Sequence, residues 1–78
     1  MDTDTLRTLG RASKRAKDRQ QRAHEALVDA IWEAADEGMP QVEIVAAVGL
    51  TRERVRQLCD AQYRKDERER RARRAASR

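Results

Sequence analysis

Four side chains able to read the edges of base pairs lie together past the middle of this chain: Arg52, Glu53, Arg56 and Gln57. Arg can bond guanine O6 and N7 as a fork, Gln can pair with adenine, and Glu can accept from cytosine N4. Helical spacing puts these four on one face and directs Val55 and Leu58 away from it. Thr51, immediately before them, is a good N-cap, and the N–H groups that open such a helix suit a phosphate. Arg54 points more to the side, where it too would hold a phosphate. Other chemistry has little to work with. Ser13 and Ser77 sit near opposite ends, and with one His24 and one Cys59 no nucleophile, base and orienting group can converge. One Cys and one His cannot complete a structural zinc site. Gly10, Gly38 and Gly49 are too dispersed for a phosphate loop. No enzymatic activity, metal or cofactor is therefore expected.

The reading face needs a helix with a buried back, and the apolar residues supply one. Of the branched aliphatics, only Leu6 and Leu9 lie outside positions 27 to 58, so the folded core is expected over residues 25–62. Leu27, Ile31 and Ala34, with Val28, Trp32 and Ala35 alongside, predict an amphipathic first core helix that stops at Gly38. Pro40 opens a short second helix through Val42, Ile44, Val45 and Val48 to Gly49. Thr51 then caps a third, with Glu53 in its first turn. Ile44, Val48, Leu50, Val55 and Leu58 fall where two short, steeply crossed helices need a shared core, and Gly49 falls where the turn needs a positive φ. Residues 41–58 therefore read as a helix-turn-helix, and the chain as a small all-α domain with long N-terminal and C-terminal helices.

The segment EIVAAVGLTRERVRQLCDAQYRK, residues 43–65, resembles the promoter-reading helix-turn-helix at the C-terminal end of primary bacterial sigma factors, and small stand-alone helix-turn-helix regulators share the pattern. TRERVRQL is its specific part. The resemblance implies that Arg52, Glu53, Arg56 and Gln57 match the family's base- and backbone-contacting positions on a helix laid in the major groove. Two residues depart from the pattern. Val45 stands where a small residue is usual, and Pro40 stands where a Ser or Thr cap is common, so no capping box forms with Glu43.

Charge divides the chain a second way. The 78 residues carry 18 Lys and Arg against 14 Asp and Glu, a net charge of +4. Six cations and one acid give +5 over residues 11–24; six acids and no cation give −6 over 25–48; eight cations and three acids give +5 over 61–78. Basic arms thus flank an acidic middle, which favours phosphate or partner contact over a merely solvated surface. Lys14 and Arg15 in the first arm, and Arg64, Lys65, Arg68 and Arg71 in the second, are the candidate phosphate ligands. The N-terminal arm, residues 1–24, is expected to be partly helical until its charge is neutralised. The Arg-rich extension, residues 63–78, is expected to prolong the third helix, because Asp66 and Arg70, Glu67 and Arg71, and Glu69 and Arg73 are spaced i,i+4. Glu25, Asp29, Glu33 and Glu37 form a like-charged ridge, and an Arg-rich tail, its own or a second subunit's, would relieve the repulsion.

These features point to a sequence-specific binder of double-stranded DNA, a small bacterial or phage transcription regulator. A homodimer is expected, since pairing would stabilise a thin core and double the readout. The alternatives are a sigma-like protein-interaction module that binds RNA polymerase or another regulator, and a nonspecific architectural DNA binder. No apolar run approaches the length of a membrane span, so the expected location is cytoplasmic.

Overall fold

The computed structural model describes residues 1–77. Four helices follow one another: α1 over Thr3–Asp36, α2 over Gln41–Val48, α3 over Arg52–Cys59 and α4 over Ala61–Ala76. Among the described residues there is no strand, and no helix is long and apolar enough to cross a membrane.

The N-terminal helix is long, as expected, but its basic arm is the first departure from expectation. Partial helicity in the N-terminal arm gives way to one continuous helix of 34 residues. Asp2 starts it, with a carboxylate oxygen 2.7 Å from the Thr5 N–H that donates to it. At about 1.5 Å per residue the helix is about 51 Å long and sets the 54 Å long axis of the molecule. Only its C-terminal third is packed: Val28, Ile31 and Trp32 are buried, whereas residues 1–24 are exposed throughout. The chain leaves α1 through Gly38, whose φ of +92° brings the Met39 N–H to the Ala34 carbonyl at 3.0 Å.

Pro40 begins α2 without a side-chain cap, and Gly49 ends it at φ +73°, donating to the Val45 carbonyl. After the turn, Thr51 Oγ1 accepts from the Arg54 N–H at 3.1 Å and starts α3. Ile44, Val55 and Leu58 complete a core with Val28, Ile31 and Trp32, and Val45, Val48 and Leu50 pack against its edge. Val42, placed by its apolar character in the second helix, is in that helix but 65% exposed. Cys59 lies half-buried against the core, where loss of solvent raises its thiol pKa, so it packs as a small apolar group.

A second departure separates α3 from α4. The third helix does not run on: Asp60 is extended, at φ −62° and ψ 134°. Its carboxylate accepts from the N–H groups of Gln62 and Tyr63, both at 3.1 Å, and thereby caps α4. In an uninterrupted helix the Gln62 N–H would donate to the Leu58 carbonyl. Here that carbonyl accepts instead from the Trp32 indole N–H, at 2.7 Å in a buried site. The break in the helix and the bond to Trp32 are thus two sides of one exchange. The i,i+4 pairs that suggest continuity are also only partly formed. Glu67 reaches Arg71, but Asp66 accepts from the Gln62 side chain, and among the described residues Glu69 has no ion pair with Arg73.

Because the indole donor serves a carbonyl that no backbone N–H can reach, Trp32→Phe should keep the ring but orphan that carbonyl. Chemical denaturation should show a loss of about 1–3 kcal/mol. An unchanged unfolding midpoint would mean the bond contributes nothing to stability.

Candidate nucleic-acid interface

Burial fixes which way α3 faces. Val55 and Leu58 are wholly inaccessible, which turns Arg52, Glu53, Arg56 and Gln57 outward, all of them exposed. Glu53 organises this face. One of its carboxylate oxygens accepts from Arg56 Nη2 at 2.6 Å and the other from Arg56 Nε at 3.2 Å, while the Gln57 amide donates to it at 3.5 Å. The fork from Arg56 holds the Glu53 carboxyl below the usual carboxylate range. Arg56 therefore projects from α3 in a fixed direction, with Nη1 free of hydrogen bonds among the described residues. Arg52 has no ion pair there either. Such a face presents one oriented fork, one free cation and an amide, which between them can donate to purine edges in a groove.

The candidate phosphate ligands separate into two groups. Thr51 and Arg54 stay beside α3, and the Arg54 guanidinium lies 6.0 Å from the centre of the Tyr63 ring. Lys65 and Arg68 are exposed on α4. Lys14 and Arg15 are exposed on the free part of α1, with Arg15 about 20 Å along the helix from Val28. Arg64 and Arg71, by contrast, turn inward. Arg64 donates from both terminal nitrogens to Asp36, each at 2.9 Å, and Arg71 donates to Asp29 at 2.7 Å and to Glu67 at 3.3 Å.

These two arginines belong to a clamp between α4 and α1. Among the described residues no Cα of α4 comes within 8 Å of one in α1, so the space between the helices is bridged by side chains. Trp32 is the floor of the bridge: the guanidinium groups of Arg64, Arg71 and Arg68 lie 5.1, 5.2 and 5.7 Å from its ring centre. A ring face attracts cations, and more strongly where water is excluded. Glu67 links the cations beyond it, taking Arg70 at 2.7 Å and Arg74 at 3.3 Å, and Arg74 continues to Glu25 at 2.5 Å. The ridge on α1 is thus met by the chain's own tail at Glu25 and Asp29. Among the described residues Glu33 and Glu37 have no ion-pair partner.

Neither Trp32 as a stacking platform nor Glu67 as a hub is evident from local reading. A signal for them exists. Arg64, Arg68 and Arg71 recur at steps of four and three, which makes one basic stripe on α4, and a cationic stripe on a helix beside an acidic ridge has an internal use. Comparison of the chain with family models, with curated proteins and with solved structures finds no match.

The clamp should fail in acid. Partial burial disfavours the charged form of Glu67, yet hydrogen bonds from Arg70, Arg74 and Arg71 prevail and leave its carboxyl below the ordinary glutamate value; Arg64 does the same for Asp36. A carboxyl lowered by folding contributes stability that is full above its unfolded pKa and disappears as pH falls through its folded one. Glu67→Gln should therefore melt lower than the parent near neutrality, and the gap should close as pH falls below about 4, the unfolded carboxylate range. A gap that stays constant across a pH series of thermal melts would show that the charge of Glu67 is immaterial.

Proposed function

We propose that this protein binds duplex DNA in a sequence-dependent manner through the outer face of α3, and acts as a small transcription regulator. The observation that carries the reading is the combination on one short helix of Val55 and Leu58, fully buried, with Arg52, Glu53, Arg56 and Gln57, all exposed. A solvated helix face has no need of such rigid anchoring. Anchoring is what a helix requires if its side chains are to meet base edges in a fixed register. The Glu53 fork adds to this by limiting where Arg56 points, so the side chain loses less freedom on binding.

Affinity independent of sequence comes from groups that carry no ion pair among the described residues, although Arg68 also lies over Trp32 and Arg54 near Tyr63. Thr51 and Arg54 flank the reading face, Lys65 and Arg68 project from α4, and Lys14 and Arg15 belong to an exposed basic stretch of α1. Each phosphate neutralised releases counterions and steepens the dependence on salt. Arg64 and Arg71 contribute indirectly, by holding α4 in place through Asp36 and Asp29.

Selection from a randomised duplex pool at near-physiological salt tests the reading. The expected result is enrichment of a short motif. Arg56→Ala and Gln57→Ala should each relax one position of that motif and weaken the selected site by about 1–3 kcal/mol. Lys65→Ala should weaken all duplexes alike and reduce the salt slope by about one. Binding without enrichment would favour an architectural coat, and absence of binding would favour a protein partner such as RNA polymerase; either overturns the proposal.

A further inference from the structure

Between the last turns of α1 and α2 runs an open groove of about 170 Å³, lined by apolar side chains alone. Ala30 and Ala34 on α1 and Ala47 on α2 are too short to fill the space between the helices. Ile44 and Val48 lie beneath them, and Met39, 41% exposed, stands at the end where the two helices are joined. Ala30 and Ala47 are exposed as well, so the lining is wet although nothing in it is polar. The groove is smaller than the roughly 300–1,000 Å³ that small-molecule pockets occupy. It is suited instead to an apolar side chain or two from a larger partner.

Charge at the rim narrows the choice of partner. Glu33 follows Ala30 by three residues and Glu37, which caps α1, follows Ala34 by three, so each adjoins a lining residue on the helix surface. Glu43 precedes Ala47 by four on α2 and adjoins it likewise. All three acids are exposed, and none has an ion pair among the described residues. No Lys or Arg occurs between Arg22 and Arg52 to offset them. Such a rim repels a phosphate backbone or an anionic lipid surface and attracts a cationic protein segment. The walls are helices, with no strand edge for an extended peptide to pair with. A partner that covers the groove must therefore satisfy its own backbone groups, as a helix does.

We infer that this groove is the docking site for a basic amphipathic helix of another protein. The partner sets apolar side chains, recurring at steps of three and four, against Ala30, Ala34 and Ala47, and lays Lys or Arg against Glu33, Glu37 and Glu43. The chain's own cations do not serve. Arg64, Arg71 and Arg74 of α4 are taken up by Asp36, Asp29 and Glu25, and the basic stretch of α1 belongs to the same continuous helix as Ala30, so it cannot fold back onto the groove. A groove this small makes the contact transient. Arg52, Glu53, Arg56 and Gln57 take no part in it, so the inference stands whether or not α3 reads DNA.

The test is a nuclear magnetic resonance titration of the full chain with synthetic peptides of about 15 residues, long enough to form a helix. One peptide carries a leucine stripe flanked by lysines, a second has glutamates in place of the lysines, and a third scrambles the first. The lysine peptide should shift the signals of Ala30, Ala34, Met39 and Ala47 saturably. E33Q/E37Q/E43Q should weaken it roughly tenfold, since three exposed ion pairs are lost. A30Q/A47Q, which puts polar side chains into the groove and leaves the rim charge intact, should abolish it. Helicity by circular dichroism should change little in either variant, as all five positions are exposed. Absence of saturation, shifts confined to other residues, equal affinity for the glutamate or scrambled peptide, or unchanged affinity in either variant would each overturn the inference. So would groove signals that move when the free protein is diluted, which would make the occupant a second copy, or that respond equally to zwitterionic lipid vesicles.

Discussion

A single buried hydrogen bond, from the Trp32 indole to the Leu58 carbonyl, joins the packed end of α1 to the end of α3, and most of the architecture follows from it. The indole has one donor, and a buried donor without a partner is costly. The partner is a backbone carbonyl that a continuous helix would have kept for itself. Asp60 releases it by taking the Gln62 N–H, which ends α3 after two turns and lets α4 leave in a new direction. That direction carries Arg64, Arg68 and Arg71 across the Trp32 ring. One side chain therefore closes the core with its edge and supports a cationic layer with its face.

That layer resolves an apparent conflict in the charge pattern. Four acids at successive steps of four on α1 repel one another, and an Arg-rich helix with little apolar content has no core of its own to bury. Each helix is poor alone. Together they form a network in which Glu67 and the ridge residues Glu25 and Asp29 bind arginines from α4. Exposed ion pairs contribute little singly, but these converge over a ring and on a carboxylate that is mostly shielded, where screening by water is weaker. The arrangement holds α4 on a core of six buried residues without a further apolar layer.

A division of labour among the cations results. Arg64 and Arg71 are structural, Arg56 is oriented by Glu53, and Arg52 with the basic stretch of α1 remains uncommitted. The net charge of +4 understates how polarised the surface is, because Glu25, Asp29 and Asp36 are taken up by arginines of α4 while residues 11–24 carry six cations and one acid.

The sequence by itself determined the all-α class, the bounds of α2, the start of α3, and which face of α3 turns outward. Each depends on neighbours within a few positions: Gly49 at positive φ, Thr51 capping its own helix, and the steps that separate Val55 and Leu58 from Arg52 and Arg56. Tertiary structure alone decided the break at Asp60 and the fates of Arg64 and Arg71. Asp60 is a good cap and an acceptable helix residue, and local propensity does not choose between these roles. The choice was made by Trp32, 26 residues before the carbonyl it binds. Likewise the i,i+4 pairs along α4 competed with partners 28 and 42 residues away, Asp36 and Asp29. A helix periodicity records which residues share a face, but which charges meet across two helices depends on their relative placement in space, and that placement was set by one buried indole.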